Sequence, residues 1–290
     1  MSQNALRITR QKLPSPQFTA RSSQPTPLPA STRSDPPSNQ VAASATPLHL
    51  PRMIDVLALM AHPDDAELLC AGALLQAADA GRATGVLDLS GGERGSWGSP
   101  GAREREAEAA SRVLRLAVRR SAGLPDGALS NSAEARATVA SIVRELRPRV
   151  VLLHWPAARH PDHHAAAELG RDACFLAGVR NAPIEGEPFR PHKLIHCLTY
   201  AEHTPKPTFV LDISELMERK LEAIFAYASQ FEGKTAMGDV YGGGERPLRE
   251  QILAHHAHYG SWIRRPYGEP YWTREVVRVD DVSRLDVATF

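Results

Sequence analysis

The stretch Ile54-Asp55-Val56-Leu57-Ala58-Leu59-Met60-Ala61-His62-Pro63-Asp64-Asp65 decides the fold. Its first half is a short apolar run, typical of a buried parallel strand, and His62-Pro63 ends that run. The Ala- and Leu-rich segment 66–80 follows and stops at Gly81, which predicts a helix. A strand that leads directly into a helix is the first half of a βαβ unit.

The same alternation of strands and helices continues along the chain. Strands are expected at 86–89, 150–155, 195–200 and 209–213, and helices at 103–116, 133–146, 165–178, 215–230 and 248–259. The pattern predicts an α/β, Rossmann-like fold: a mostly parallel sheet with helices on both faces. In such sheets ligands bind at the carboxyl ends of the strands, so the functional site is expected there.

The chain divides into two regions of different composition. Residues 1–52 are rich in Pro, Ser, Thr and Gln, and carry six Lys or Arg against the single acid Asp35. A segment so poor in apolar residues buries too little surface to offset the entropy of ordering. We therefore predict a disordered N-terminal tail over 1–52 and one folded domain over 53–290.

Composition and charge exclude several classes of partner. The 290 residues carry a formal net charge of +1, are 42% hydrophobic and contain no Lys/Arg tract. The sequence therefore predicts a small-molecule substrate, with neither nucleic acid nor membrane as a partner. Three cysteines without a CxxC pair indicate a reducing compartment, so we predict a cytoplasmic protein.

Two segments rich in His and Asp follow two of the predicted strands. Ala61-His62-Pro63-Asp64-Asp65 ends the first strand, and His160-Pro161-Asp162-His163 lies five residues after the strand at 150–155. If these strands are neighbours, His62, Asp65 and His163 converge on one metal ion. Two imidazoles and one carboxylate, with a position open for water, are the ligand set of a catalytic zinc site, and Fe²⁺ accepts the same set.

The other polar residues of these segments are predicted to have catalytic roles. Asp64 is the predicted general base that takes a proton from the attacking water. His160 is predicted to stabilise the oxyanion or to protonate the leaving amine, with Asp162 holding its orientation. The first segment alone is better explained as a turn in which Asp64 or Asp65 caps the following helix, and the second alone is likewise compatible with a capped turn. The presence of both segments at strand ends favours the metal site.

The glycine-rich segment Gly91-Gly92-Glu93-Arg94-Gly95 lacks the GxGxxG and GKS/T patterns of phosphate-binding loops. We predict instead a mobile loop at the rim of the site. The first strand is likewise followed by no glycine fingerprint, which argues against a nucleotide-binding Rossmann domain.

The two His/Asp segments resemble the LmbE-like/PIG-L deacetylase family, whose members carry AHPDD after the first strand and HPDH later. The resemblance runs from about residue 54 to the last strands. Within the family, the chain is most similar to the deacetylases of bacillithiol biosynthesis, which act on N-acetylglucosaminyl malate. This similarity rests on Gly123 to Asp126, Arg159 to His163, Ala177 to Arg180, Lys206-Pro207, Asp212 to Ser214 and Tyr227 to Phe231.

The resemblance implies the same site residues and adds two. The implied zinc ligands are His62, Asp65 and His163, and the implied catalytic residues are Asp64, His160 and Asp162. Arg103 matches a family arginine that faces the substrate. Arg159 also matches, and a guanidinium suits the malate carboxylates through paired hydrogen bonds, with a structural salt bridge as the alternative. The resemblance further suggests a homo-oligomer.

The implied function is that of an enzyme, a zinc-dependent hydrolase of linear amides. It removes the acetyl group of an N-acetylglucosamine conjugate by means of metal-activated water. One alternative is a zinc amidase of thiol-sugar conjugates or a deacetylase of another acetamido sugar. An alternative of a different class is a catalytically silent sugar-binding protein, against which Asp64 argues, because a binding protein needs no base.

Overall fold

The computed structural model describes residues 53–198, 200, 204–235 and 244–287, so the predicted disordered tail at 1–52 lies outside the described residues. The strands are β1 (Val56–Met60), β2 (Thr84–Asp88), β3 (Val118–Ser121), β4 (Val150–His154), β5 (Lys193–Cys197), β6 (Phe209–Asp212) and β7 (Gly268–Trp272). The helices are α1 (Asp65–Asp79), α2 (Pro100–Leu114), α3 (Ala133–Leu146), α4 (Pro161–Ala177), α5 (Met217–Phe225), α6 (Ala228–Phe231) and α7 (Leu248–Trp262). No helix in this part of the chain has the length and apolar character needed to cross a membrane.

The strands form one sheet in the order β3-β2-β1-β4-β5-β7-β6, in which β7 runs opposite in direction to the other six strands. Helices α1, α2, α5 and α7 pack on one face, and α3 and α4 pack on the other. The predicted α/β fold is thereby confirmed. β1 pairs directly with β4, so the ends of the two strands meet at one edge of the sheet.

Two strands and one helix differ most from the sequence prediction, while α4 begins at Pro161 rather than at 165 and β5 spans Lys193–Cys197 rather than 195–200. β3 was missed because it is a short edge strand with two arginines, one of which, Arg119, reaches the carboxylates of Asp88 and Glu67. β7 was missed because it contains Gly268, Pro270 and the buried Glu269, all unfavourable in a strand. The helix predicted at 215–230 is instead a 3₁₀ turn followed by α5 and α6.

Helix α1 is interrupted at Cys70, where φ is −146°. The Gly72 amide donates to Glu269 Oε1 at 2.7 Å, and Lys220 Nζ donates at 2.7 Å to the Leu68 carbonyl that the Gly72 amide would meet in a regular helix. Lys220 and Glu269 also form a fully buried ion pair at 2.7 Å. The Lys220 ammonium thus lies at the carboxyl end of the first helical segment of α1, and the Glu269 carboxylate lies at the amino end of the second. Both charges match the dipoles of the segments that they contact.

Candidate active site

The first His/Asp segment forms the turn between β1 and α1. The His62 amide donates to Asp65 Oδ2 at 2.8 Å, which closes the turn. Asp64 lies in the left-handed region, with φ 104° and ψ −25°, a conformation that costs a non-glycine residue about 1–3 kcal/mol. It occupies the cap position of α1, but its side chain bonds no helix amide. Asp64 therefore does not cap α1 with its side chain, whereas in the second segment His160 caps α4 by accepting from the Asp162 amide.

The second segment begins α4 and meets the first because β4 is paired with β1. Asp65 Oδ1 lies 3.2 Å from His163 Nε2, and Asp65 Oδ2 lies 3.4 Å from His62 Nδ1. One ligand atom from each of these residues lies within 4.8 Å of the others. Ligands about 2.1 Å from one tetrahedral ion are about 3.4 Å apart, so the three residues fit a single metal ion.

Negative charge is concentrated around His62. Burial alone would lower the pKa of His62, but the carboxylates of Asp65, Asp64 and Asp126 raise it to about 10. Burial alone would raise the pKa of Asp65, yet the imidazole of His163 lowers it well below its usual value. The cluster therefore favours positive charge strongly. A divalent cation supplies that charge and leaves the imidazole nitrogens as ligands.

Arg103, from α2, holds the carboxylate of Asp64. Its Nη2 lies 3.2 Å from Asp64 Oδ2 and donates to the Pro63 carbonyl at 2.8 Å. Burial raises the pKa of Asp64 to about 7, and the Arg103 guanidinium opposes that rise. A carboxylate with a pKa near neutrality is suited to accept a proton from water. Arg103 is buried, and the group that it contacts is the predicted base Asp64. Its contact with the substrate stays a prediction.

Asp162 does not orient His160 with its carboxylate as predicted. The carboxylate accepts from the amides of Gly127 at 2.7 Å and Leu129 at 3.2 Å, and lies 3.2 Å from His62 Nε2. His160 Nδ1 instead accepts from the backbone amide of Asp162 at 3.2 Å. The reason is that the first turn of α4 directs the Asp162 side chain toward residues 127–129. Asp162 therefore positions His62.

His160 lies at the edge of the cluster, and Arg159 precedes it in the chain. Both are exposed, so both are accessible to a substrate. The His160 ring stacks on that of His163, with 4.6 Å between centroids. Burial, followed by the charge of His163, lowers the pKa of His160, which favours its neutral form. The substrate-binding role of Arg159 stays a prediction.

The chain is similar to known proteins over the region that contains the site. Residues 57–174, which contain both His/Asp segments, match the PIG-L family of GlcNAc-PI de-N-acetylases. The diacetylchitobiose deacetylase of Thermococcus kodakarensis is 30% identical over 190 residues, or 61% of this chain and 70% of that protein. The chain belongs to the PIG-L family. This membership confirms the resemblance seen in the sequence and the prediction of an enzyme that hydrolyses amides.

Two further known proteins match more of the chain. The Bacillus anthracis protein named probable N-acetyl-alpha-D-glucosaminyl L-malate deacetylase 2 is 28% identical over 231 residues, or 75% of this chain and 93% of that protein. The crystal structure of a conserved protein from Thermus thermophilus has a TM-score of 0.72 and 40% identity, and covers 80% of this chain and 100% of that one.

His154 is a site residue of this PIG-L chain that the sequence analysis missed. It ends β4 and is fully buried. Its Nε2 accepts from the Ala61 amide at 3.0 Å and lies 3.2 Å from Asp65 Oδ2, and its ring stacks on His163 at 4.2 Å. Burial lowers the pKa of His154 to about 4, so the ring is neutral and packs against two predicted ligands. In the sequence, the feature that could have indicated this role is a histidine at the end of an apolar strand.

His154→Phe is expected to weaken zinc binding by about 10–100-fold, the usual effect of removing a group that orients metal ligands. The phenyl ring keeps the stacking surface for His163 but loses the contacts with Ala61 and Asp65. Calorimetric titration of metal-free protein with Zn²⁺ measures the change. His164→Phe, at an exposed position outside the cluster, is the matched control and should bind like the native chain. Equal affinities in the two variants would contradict this role.

Asp126 is a second missed residue, and it bonds the glycine-rich loop to the site. Its Oδ1 lies 3.1 Å from His62 Nε2, and its Oδ2 accepts from the Arg94 amide at 2.7 Å. In return, Glu93 Oε1 accepts from the Asp126 amide at 2.9 Å. The loop therefore lies at the rim of the site, as expected, while its mobility stays a prediction.

Proposed function

We propose that the chain is a zinc-dependent N-deacetylase of an N-acetylglucosamine conjugate, with N-acetylglucosaminyl malate as the first candidate substrate. The proposal is carried by the convergence of His62, Asp65 and His163 where β1 and β4 end. Asp64 is the neighbour of Asp65 in the chain, and Arg103 holds its carboxylate. This ligand set is typical of catalytic zinc, with Fe²⁺ as the alternative metal. Bound there, the ion lowers the pKa of a water molecule and polarises the substrate carbonyl.

The chain's own residues move the protons in this proposal. Asp64, oriented by Arg103, accepts a proton from the attacking water. Because His160 Nδ1 accepts from the Asp162 amide, the neutral ring carries its proton on Nε2. That N–H donates to the oxyanion as the carbonyl carbon becomes tetrahedral. Asp64 then returns its proton to the amine, which leaves as the C–N bond breaks and gives acetate and a free glucosamine amine.

The relatives support an amino-sugar substrate and leave two candidates. The Bacillus anthracis relative, named for the malate glycoside, matches over 93% of its length, and the relative named for diacetylchitobiose matches over 70%. Exposed Arg159, next to His160, suits a malate carboxylate through paired hydrogen bonds, which favours the malate glycoside. We place the reaction in the cytoplasm, where the three free cysteines stay reduced.

The proposal predicts acetate release that a chelator abolishes and zinc restores. Purified protein of known metal content receives N-acetylglucosaminyl malate, diacetylchitobiose and free N-acetylglucosamine in parallel. We expect the highest kcat/KM for the malate glycoside. A thiol-sugar conjugate in the same assay tests the amidase alternative.

Each outcome of that assay has a distinct meaning. A higher kcat/KM for diacetylchitobiose would replace the malate glycoside by a disaccharide, and preference for the thiol-sugar conjugate would favour the amidase. Turnover that survives complete metal removal would contradict the zinc-dependent reaction. Sugar binding by zinc-loaded protein without turnover of any of these compounds would favour the silent sugar-binding protein.

A further inference from the structure

Arg94 lies in the glycine-rich loop beside the His/Asp cluster and has an exposed side chain. Its backbone is fixed there, because its amide donates to Asp126 Oδ2 at 2.7 Å and the Asp126 amide donates to Glu93 Oε1 at 2.9 Å. The other carboxylate oxygen of Asp126 lies 3.1 Å from His62 Nε2. A single carboxylate therefore connects the backbone of Arg94 to a predicted zinc ligand.

The side chain of Arg94 lies beside Gly127. A Cβ atom added at Gly127 would be 3.4 Å from Arg94 Cδ and 3.7 Å from its Nη1. The Gly127 amide donates at 2.7 Å to Asp162 Oδ2, which lies 3.2 Å from His62 Nε2. The backbone and the side chain of Arg94 are thus connected to the cluster through two different carboxylates, so its guanidinium lies near the proposed reaction.

The guanidinium of Arg94 has no hydrogen bond or ion pair with another residue in the part of the chain that the structure describes. The neighbouring Glu93 uses its two carboxylate oxygens to accept from the amides of Asp126 and Gly91. Arg103, by contrast, is buried against Asp64. An exposed guanidinium whose donors are not used within the protein is suited to bind a carboxylate through two parallel hydrogen bonds.

An anionic substrate needs such a cation at the rim, because the site itself is rich in negative charge. The carboxylates around His62 are those of Asp64, Asp65, Asp126 and Asp162. A divalent ion and the guanidinium that holds Asp64 bring three positive charges to these four carboxylates. The metal-loaded cluster therefore has no excess of positive charge that would attract an anion.

The carboxylates of N-acetylglucosaminyl malate lie close to the group that reacts. Malate is attached to C1 of the sugar, next to the carbon that bears the acetamide, so it must lie near the cluster when the acetamide does. Malate has two carboxylates, and Arg159 is the candidate for one of them.

We propose that Arg94 binds the other carboxylate and selects glycosides that carry a carboxylate next to the sugar. This role rests on the proposed function and deepens it. Arg94 determines specificity and takes no part in the proton transfers, since the exposed guanidinium stays protonated throughout.

The test compares a charged with a neutral aglycone, using the full zinc-loaded chain. Arg94→Met keeps an unbranched side chain and removes the guanidinium, and Arg94→Lys keeps the charge. The control is Arg82→Met, which is likewise exposed but lies before β2, at the edge of the sheet opposite the site. Acetate release from N-acetylglucosaminyl malate and from the methyl glycoside of N-acetylglucosamine gives kcat/KM for each. Calorimetric titration with glucosaminyl malate, the product, gives a Kd without turnover.

We expect Arg94→Met to lower the ratio of kcat/KM for the malate glycoside to kcat/KM for the methyl glycoside by about 10–100-fold. The change should lie mainly in KM, because the carboxylate is bound equally before and during the reaction. The Kd of glucosaminyl malate should rise by a similar factor. Arg94→Lys should recover part of the ratio, and Arg82→Met should match the native chain.

The two readouts separate this inference from the proposed function. A native ratio and a native Kd in folded Arg94→Met, checked by circular dichroism, would overturn the role of Arg94 and leave the proposed function intact. A native chain that hydrolyses only the methyl glycoside, yet binds glucosaminyl malate more tightly than Arg94→Met does, would contradict the proposed substrate and support Arg94 as a carboxylate-binding residue. A native chain that neither hydrolyses the malate glycoside nor binds its product would overturn both.

Discussion

Asp64→Asn is expected to lower kcat for acetamide hydrolysis by about 10²–10⁴-fold while the protein keeps its bound metal. The amide cannot accept a proton from water at neutral pH, whereas the three predicted ligands are unchanged. Asparagine also tolerates the left-handed backbone of residue 64, where φ is 104°, so the turn should be preserved. Acetate release and metal analysis of the same samples measure the two effects separately.

The control for this prediction is Asp79→Asn, the same chemical change at the other end of α1. Asp79 pairs with Arg115 and Arg219 at the surface, so its substitution should leave kcat unchanged. Native kcat in Asp64→Asn would remove Asp64 as the base. Loss of the metal would instead indicate that Asp64 helps to hold the ion.

Lys220→Met is expected to lower the free energy of unfolding by about 3–5 kcal/mol, the usual effect of removing one partner of a buried ion pair. The substitution leaves the Glu269 carboxylate buried without its cation. It also removes the shorter of two hydrogen bonds to the Leu68 carbonyl at the interruption of α1, the other being donated by the Tyr200 hydroxyl. Urea unfolding of metal-free protein, followed by circular dichroism, measures the change.

Two further variants show how the change in the free energy of unfolding is to be interpreted. Lys206→Met makes the same exchange at an exposed position and should change the free energy of unfolding by less than about 0.5 kcal/mol. Lys220→Met combined with Glu269→Gln should be more stable than Lys220→Met alone, because the neutral amide needs no countercharge. A Lys220→Met protein as stable as the native chain would show that the pair does not stabilise the fold.

The sequence predicted the parts of the fold and site that depend on local patterns. β1 and β4 are apolar runs bounded by turns, and each leads to a His/Asp segment that begins a helix. Because parallel strands end at the same edge of the sheet, the meeting of His62, Asp65 and His163 followed from β1 and β4 being neighbours.

The features that the sequence did not predict depend on contacts between distant residues. The amide of Ala61 meets His154 from 93 positions away, and the amide of Gly72 meets Glu269 from 197 positions away. The run through Cys70 is apolar and contains no proline, so nothing local predicts that α1 is interrupted there. The orientation of the Asp162 side chain likewise depends on the backbone amides of Gly127 and Leu129. No pattern within the HPDH segment indicates these contacts.

The pairing of β1 with β4 joins parts of the site that are far apart in the chain, since His62 and Asp162 are separated by 100 positions. A fragment that stops before Val150 keeps Asp64 and two of the three ligands but lacks the third. A cut between α1 and β4 would produce two fragments, each with an incomplete site. The site would be restored only if the fragments reassociate by pairing β1 with β4. Acetate release would then report on fragment complementation as well as on chemistry.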